Sequence, residues 1–155
     1  MDSSQQSQAA ATAVARVVHA AGGRALVVGG WVRDRLLDRQ SKDVDIEVFG
    51  VEESRLPGLL GTLGRVDPVG QSFPVYKLSG LTEHDVDVAL PRRESKSGHG
   101  HKGFVVQGDP LMSVREAARR RDFTVNAVAW DPLTDRYEDP FDGRADLANR
   151  VLRAV

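Results

Sequence analysis

Hydrophobic and polar positions along this chain alternate between two periods. Residues 25–28 (ALVV) form an unbroken apolar, β-branched run stopped by Gly29-Gly30, the pattern of a buried strand. In residues 31–39, Trp31, Val32, Leu36 and Leu37 fall on one face, and Arg33, Asp34, Arg35 and Asp38 on the others. That spacing predicts a helix. The segment DVDIEV then has period two: Val44 and Ile46 enter the core, and Asp43 and Asp45 share the opposite face of a strand. Upstream, residues 9–21 are rich in Ala and Val without a breaker. They predict a packing helix with an apolar stripe of Val14, Val17 and Val18, ended by Gly22-Gly23. Residues 1–8 are polar and are expected to fray.

Farther along, residues 52–63 predict a short helix through Leu56, Leu59, Leu60 and Leu63, with Pro57 near its first turn. Residues 73–78 and 85–90 predict two strands joined by a turn around Gly80 and Thr82. In the second strand Asp87 faces away from Val86 and Val88. Residues 91–112 have no hydrophobic period and read as a long Gly-, Arg-, His- and Lys-rich loop, functional or mobile. Residues 113–121 predict a helix with Ser113 as N-cap and Glu116 three residues on. Residues 123–131 continue into the core. A turn at 131–134, an edge strand at 136–138 and a short helix at 142–149 follow, with a strand or connector at 151–155. The whole is an α+β pattern: a mixed β-sheet flanked by helices.

The chain has 155 residues, enough for one domain with a real core. It has no Cys, which excludes disulfides and a thiolate zinc site. Its net charge of −1 gives no bulk attraction for nucleic acid. Local clustering is more informative. Basic residues gather at 92–102 and 115–121, and acids at 43–53 and 83–87. No apolar run approaches a membrane span, and MDSSQQSQ has neither the basic start nor the apolar core of a signal peptide, so the default expectation is a cytoplasmic protein without membrane contact.

The candidate chemistry follows from three features. A Gly-Gly turn leading into a helix presents backbone amides to an anion. Asp43 and Asp45 on one strand face would lie roughly 6–7 Å apart, and Asp87 is a third acid on another strand. As surface residues they would be a solvated strand face. Converging on one cleft, they would need a hard cation such as Mg²⁺, with substrate phosphates and water completing its shell. Arg120-Arg121-Asp122 sits at a helix-to-loop junction, where one arginine could meet a phosphate and the other Asp122. The alternative is a basic surface turn. Asn126, in an apolar stretch, either stabilises a turn or faces a ligand. His99 and His101 lack an evident third metal ligand.

Read together, GGWVRDRLL (29–37), DVD (43–45), DVAL (87–90), RRDFTVNA (120–127) and DPFDGRADL (139–147) resemble the catalytic head of class II tRNA nucleotidyltransferases and bacterial poly(A) polymerases, in the DNA polymerase β-like superfamily. The resemblance implies a polymerase β-like head over residues 25–155, with 1–24 as a helix packed on it. It implies an RNA nucleotidyltransferase that adds CMP or AMP from CTP or ATP to an RNA 3′-OH, the tRNA 3′ end first, through two Mg²⁺ ions. Poly(A)-type adenylyl transfer, or a non-catalytic head needing a separate neck and body partner, are the alternatives. Asp43 and Asp45 would be the metal-binding catalytic carboxylates and Asp87 the third. Gly29, Gly30 and Arg33 would lie at the triphosphate, with Asp34 organising the helix start. Arg120, Arg121, Asp122 and Asn126 would contact the nucleotide. Arg92, Arg93, Lys96 and Lys102 would belong to a mobile basic loop. The family's neck motif, E-D-x-x-R, is not Glu138-Asp139, because Asp142 stands three residues after Asp139. Neck, body and tail are expected to be absent. Met1-Asp2-Ser3 reads as a native start, and an end at Val155, where a neck would begin, favours truncation or a split gene over a minimal enzyme.

Overall fold

The computed structural model describes residues 2–70, 73–96 and 104–155. Nine strands and five helices are described: β1 (Arg24–Val28), β2 (Val44–Phe49), β3 (Arg65–Val69), β4 (Val75–Ser79), β5 (Val86–Ala89), β6 (Arg92–Lys96), β7 (Phe104–Gly108), β8 (Ala129–Asp131) and β9 (Arg136–Glu138), with α1 (Ser3–Ala20), α2 (Gly30–Leu36), α3 (Leu56–Gly61), α4 (Val114–Arg119) and α5 (Gly143–Ala148). Seven strands form one sheet in the order β3-β4-β5-β2-β1-β8-β9, and β6 and β7 form a separate hairpin. β2 and β5 run parallel, and the other described pairs are antiparallel, so the sheet is mixed as expected.

Strand alternation divides the sheet into two unlike faces. Val27, Val44, Ile46, Val48, Val86, Val88 and Trp130 point to one face, where Ala10, Val14 and Val18 of α1, Trp31 and Val32 of α2, and Leu56 and Leu60 of α3 complete the main core. The Trp31 and Trp130 rings stack at 5.3 Å between centroids, and the Arg35 guanidinium lies 4.4 Å from the Trp130 ring. The opposite face is apolar only in part. Leu26, Val28, Phe49 and Ala129 pack there against Met112 and Ala117 at α4. The rest of that face, toward β5 and β4, carries charge. Among the described residues no helix is long and apolar enough to cross a membrane.

Several local expectations are corrected. The N-terminal segment is ordered helix: Asp2 accepts from the Gln5 backbone N–H at 2.8 Å, and its own N–H donates to Gln5 Oε1 at 3.0 Å. Such a reciprocal cap contributes on the order of 1 kcal/mol and removes the reason to fray. The helix expected at 52–63 is a 3₁₀ turn, Glu53–Arg55, followed by α3. β3 was not foreseen. Its sequence, RVDPV, contains Pro68, which an edge strand tolerates because that position need not donate to a neighbour. The long loop expected at 91–112 contains the β6–β7 hairpin, in register from Arg92↔Gly108 to Lys96↔Phe104. The polar run RRESK has no apolar alternation, so its strand character was hidden from period counting. His99, His101 and Lys102, and the side chain of Lys96, lie outside the described residues. Leu37, expected on the apolar face of α2, falls just past the helix end and is exposed.

Residues 122–155 are tied together by backbone bonds. Thr124 N–H donates to Arg153 O at 2.9 Å and Val155 N–H to Asp122 O at 3.1 Å, so the last residues bridge to 122–124. Glu138 pairs with Arg24, and Asp139 accepts from the N–H groups of Gly143 and Arg144 at 2.7 and 3.1 Å, which starts α5. Gly143 is required there: a Cβ would stand 2.0 Å from Thr124 O. Asp146 of α5 accepts from Thr124 Oγ1 at 2.6 Å and from Arg153 Nε at 3.2 Å.

The Thr124 hydroxyl, seconded by Arg153, holds the Asp146 carboxyl below its ordinary value. A depressed folded pKa gives stability that is present above the ordinary aspartate value of about 4 and is lost as pH falls through the folded value. Asp146→Asn is therefore expected to lower Tm at pH 7, and its deficit against the wild type should shrink as pH drops below about 4. Thermal unfolding of both proteins across pH 2.5–7 (about that span, from the same linkage) measures it. A deficit independent of pH would contradict the assignment.

Candidate active site

The parallel pairing of β2 with β5 sets Asp45 directly beside Asp87 on the charged face. The same row continues to Lys77 of β4 and Val28 of β1, each in register with its neighbour. Glu47, two residues along β2, stands in the next row. Asp43 precedes β2 and is exposed. The sequence argument for Asp43 and Asp45 rested on period two. The structure adds the cross-strand neighbour, at the strand spacing of about 5 Å.

The electrostatics show how these acids meet. Burial pushes the Asp45 carboxyl up, the neighbouring Asp87 and Asp43 add to the rise, and Arg121 opposes it. Asp87 Oδ1 is buried without a hydrogen-bond partner. An orphaned carboxylate oxygen next to a second carboxylate suits a hard cation with oxygen ligands. Among the described residues, no three His, Asp or Glu side chains form a ready metal cage. Two protein carboxylates with water and substrate phosphates filling the remaining positions is the coordination habit of Mg²⁺ rather than of Ca²⁺ or Zn²⁺.

The Gly-Gly turn abuts the acids. Gly29 has φ +74°, a left-handed conformation, and a Cβ built on it would stand 3.9 Å from Asp45 Oδ2. The Arg33 guanidinium folds back over Gly30, 3.3 Å from where a Cβ would sit. Arg33 also donates to Asp34 Oδ1 at 3.3 Å and to Asn126 Oδ1 at 3.2 Å. Asn126 Nδ2 in turn donates to Asp122 Oδ1 at 3.1 Å, and that oxygen also accepts from Phe123 N–H at 2.7 Å. Arg33, Asp34, Asp122 and Asn126, drawn from two distant motifs, thus form one connected network beside Gly30. The two hydrogen bonds from Asn126 and Phe123 hold the Asp122 carboxyl below its ordinary value.

Arginines form the opposite wall. Ser113 caps α4 by accepting from Glu116 N–H at 3.1 Å, and α4 ends at Arg119. The chain then turns and presents Arg120 and Arg121 to a cleft of about 430 Å³ that is also lined by Glu47, Pro91, Arg92 and Ala117. Arg121 pairs with Glu47 at 3.6 Å, and no described ion pair joins either arginine to Asp122, contrary to the sequence expectation. Asp122 is held by Asn126 and Phe123 instead. A second cleft of about 250 Å³ contains Asp45, Glu47, Asp87, Arg92 and Arg121, so the acids and the arginines share a boundary. Arg93 was expected in a mobile loop. It is held at the base of the hairpin by Asp109 at 2.7 Å and Glu116 at 3.4 Å. Glu47 and Lys77 were missed. Glu47 had a sequence signal, as the third acid of the period-two row D-x-D-x-E. Lys77 had none before the β4–β5 register was known.

A family model described as the poly(A) polymerase head domain matches residues 25–153. A multifunctional CCA protein of Xanthomonas oryzae pv. oryzae is 43% identical over 129 residues, which cover 83% of this chain and 30% of that protein. Its namesake from Xylella fastidiosa strain M12 is 40% identical over 132 residues, 85% of this chain and 30% of the relative. Among solved structures, the Bacillus stearothermophilus CCA-adding enzyme in complex with CTP superposes with a TM-score of 0.70 at 26% identity, over 99% of this chain and 34% of that one. A tRNA-processing enzyme with CTP gives 0.67 at 31% identity, over 91% and 35%. The chain spans about a third of the length of the relatives it matches.

Replacing one member of the Asp45–Asp87 pair should relieve repulsion. Asp87→Asn is expected to stabilise the metal-free protein at neutral pH by about 1 kcal/mol, because an amide N–H beside Asp45 replaces a like charge. Urea unfolding in chelator measures it. A lower midpoint for the variant would show that the two carboxylates do not repel.

Proposed function

Because the chain belongs to the poly(A) polymerase head-domain family, we propose that it is the catalytic head of an RNA nucleotidyltransferase of the CCA-adding type. The observation that carries this reading is the Asp45–Asp87 pair, with its orphaned oxygen, set between the Gly29-Gly30 turn and the arginine-lined cleft. In the proposed reaction the 3′-oxygen of an RNA bonds to the α-phosphorus of CTP or ATP. The bond from that phosphorus to the bridging oxygen breaks, pyrophosphate leaves, and the hydroxyl gives up its proton.

Asp43, Asp45 and Asp87 are the residues that would hold Mg²⁺, two ions in the full arrangement. When bound, the metal supplies Lewis-acid stabilisation of the charge that builds on the phosphoryl oxygens. The protein groups do the rest. Arg33, Arg120 and Arg121 offer forked N–H donors to phosphate oxygens. The Arg33–Asn126–Asp122 network keeps Arg33 against the turn and restricts its rotamers before substrate arrives, which lowers the entropic cost of binding. Gly29 leaves space next to Asp45 for a phosphate, and Asp87 Oδ1, on the strand beside Asp45, is an acceptor without a partner.

The tRNA 3′ end is the RNA substrate favoured here, since the relatives at 40–43% identity are named multifunctional CCA proteins. The family's base-pairing motif E-D-x-x-R is not present at Glu138-Asp139, so base discrimination by this segment should be weak. Base selection would then come from a neck and body, on the same chain or a partner, and the match to only about 30% of the relatives' length supports this. Poly(A)-type adenylyl transfer uses the same groups and remains the second reading.

The test offers labelled CTP and ATP separately to a tRNA lacking its 3′ CCA, with Mg²⁺. Incorporation is expected with both nucleotides, poorly selective, and reduced at least about 100-fold in Asp43→Ala and in Asp45→Ala. Undiminished incorporation in both variants would overturn the mechanism. A strict CTP-then-ATP order from this segment alone would overturn the expectation of weak selectivity.

A further inference from the structure

Glu47 has no role in the chemistry described above, yet it occupies its centre. It lies on the charged face two residues beyond Asp45, half-buried, and lines both the acid cleft and the arginine cleft. Its ion-pair partner is Arg121, at 3.6 Å. Arg121 also lines the acid cleft, together with Asp45. The guanidinium therefore shares one cleft with two acids of the same strand. Arg92, which lines both clefts too, adds a further positive charge near Glu47.

We propose that Glu47 is a positioning residue: by pairing with Arg121 it holds that guanidinium at the boundary of the two clefts, keeps it off Asp45, and leaves its remaining N–H groups free for the phosphates of a nucleoside triphosphate. The physical reason is competition. Without the Glu47 charge, the acids left in the cleft with Arg121 are Asp45 and Asp87. An Arg121–Asp45 pair would cover the carboxylate that the substrate's phosphates must approach, and it would spend the arginine's fork on the protein. A guanidinium has five donors in a rigid plane, so one carboxylate can anchor one edge while the other edge stays available. Glu reaches Arg121 from the row behind Asp45, and that offset sets the direction in which the fork points.

This inference rests on the proposed nucleotidyltransferase reading for the identity of the ligand, so it is tested by binding as well as by turnover. The probe is CTP with Mg²⁺, measured by calorimetry on the wild type, Glu47→Gln, Arg121→Ala and the double variant. Glutamine keeps the shape of Glu47 and removes its charge, and a urea curve for each variant checks folding. Glu47→Gln is expected to weaken CTP binding about tenfold, the scale of one charge-assisted hydrogen bond. Arg121→Ala should weaken it at least as much. On the Arg121→Ala background, Glu47→Gln should cost nothing further, because the residue it positions is gone. In turnover the loss should lie in KM, with kcat changing less than about threefold.

Unchanged CTP affinity in a folded Glu47→Gln overturns the proposal. So does a further tenfold loss in the double variant, or a loss confined to kcat. A wild type that binds CTP but incorporates nothing into RNA overturns the nucleotidyltransferase reading and leaves the Glu47 inference to be judged by the binding ratios. A wild type that does not bind CTP overturns both.

Discussion

The parallel register of β2 against β5 is the constraint on which the rest of this structure depends. It places Val44 beside Val86 and Ile46 beside Val88 on the core face, and in the same step places Asp45 beside Asp87 on the other. The two results cannot be separated. A slip of one residue would turn the valines outward and the aspartates into the core. The apolar burial that fixes the sheet therefore also fixes a pair of like charges in contact. At an effective dielectric of about 20 their repulsion at strand spacing is roughly 3 kcal/mol, and in water it falls below about 1. Asp45 is open to solvent on one side, so the lower end governs, and a core of this size tolerates it.

What the repulsion gives up in stability it returns as chemistry. An unpartnered carboxylate oxygen and a carboxyl raised above its ordinary value are conditions of a site prepared for a cation or a proton rather than of a settled surface. The surrounding elements limit how the site can be approached. On one side the left-handed Gly29 removes a side chain from the space next to Asp45. On the other, the end of α4 carries Arg121 to the row of Glu47. Between them Asn126 joins the two halves by bonding to Arg33 and Asp122 at once. Residues nearly a hundred positions apart are thus locked into one frame, and Asp146 supports that frame from behind through Thr124.

Much of this was legible in the sequence. Period two gave the faces of Asp45 and Asp87, the Gly-Gly pair gave the turn, and Ser113 gave the start of α4. Two kinds of information were out of reach. Pairing register is a long-range property, so the contact of Asp45 with Asp87 and the placement of Lys77 beside it could not be read from local spacing. Polar strands were the second difficulty. β6 has no apolar alternation and β3 contains a proline, and each is a strand because of what pairs with it rather than because of its own side chains. Glu47 is the instructive miss. Its position in the acid row was visible, but its partner lies 74 residues later in the chain, from Glu47 to Arg121.

The arginine triplet Arg119-Arg120-Arg121 illustrates how local structure sorts similar residues into different work. Arg119 ends the helix, and Arg120 and Arg121 fall in the turn after it, where consecutive side chains diverge. Had α4 continued, Arg121 would have been held in step with Ala117 and Ala118, four and three residues back, instead of turning free of the helix end. It stops because Asp122 ties its carboxylate to the backbone of Phe123 and to Asn126, an arrangement that competes with helix continuation. Asp122 therefore acts on the phosphate side of the site without an ion pair to either arginine: it holds the turn that follows the helix, next to the residue that pairs with Glu47.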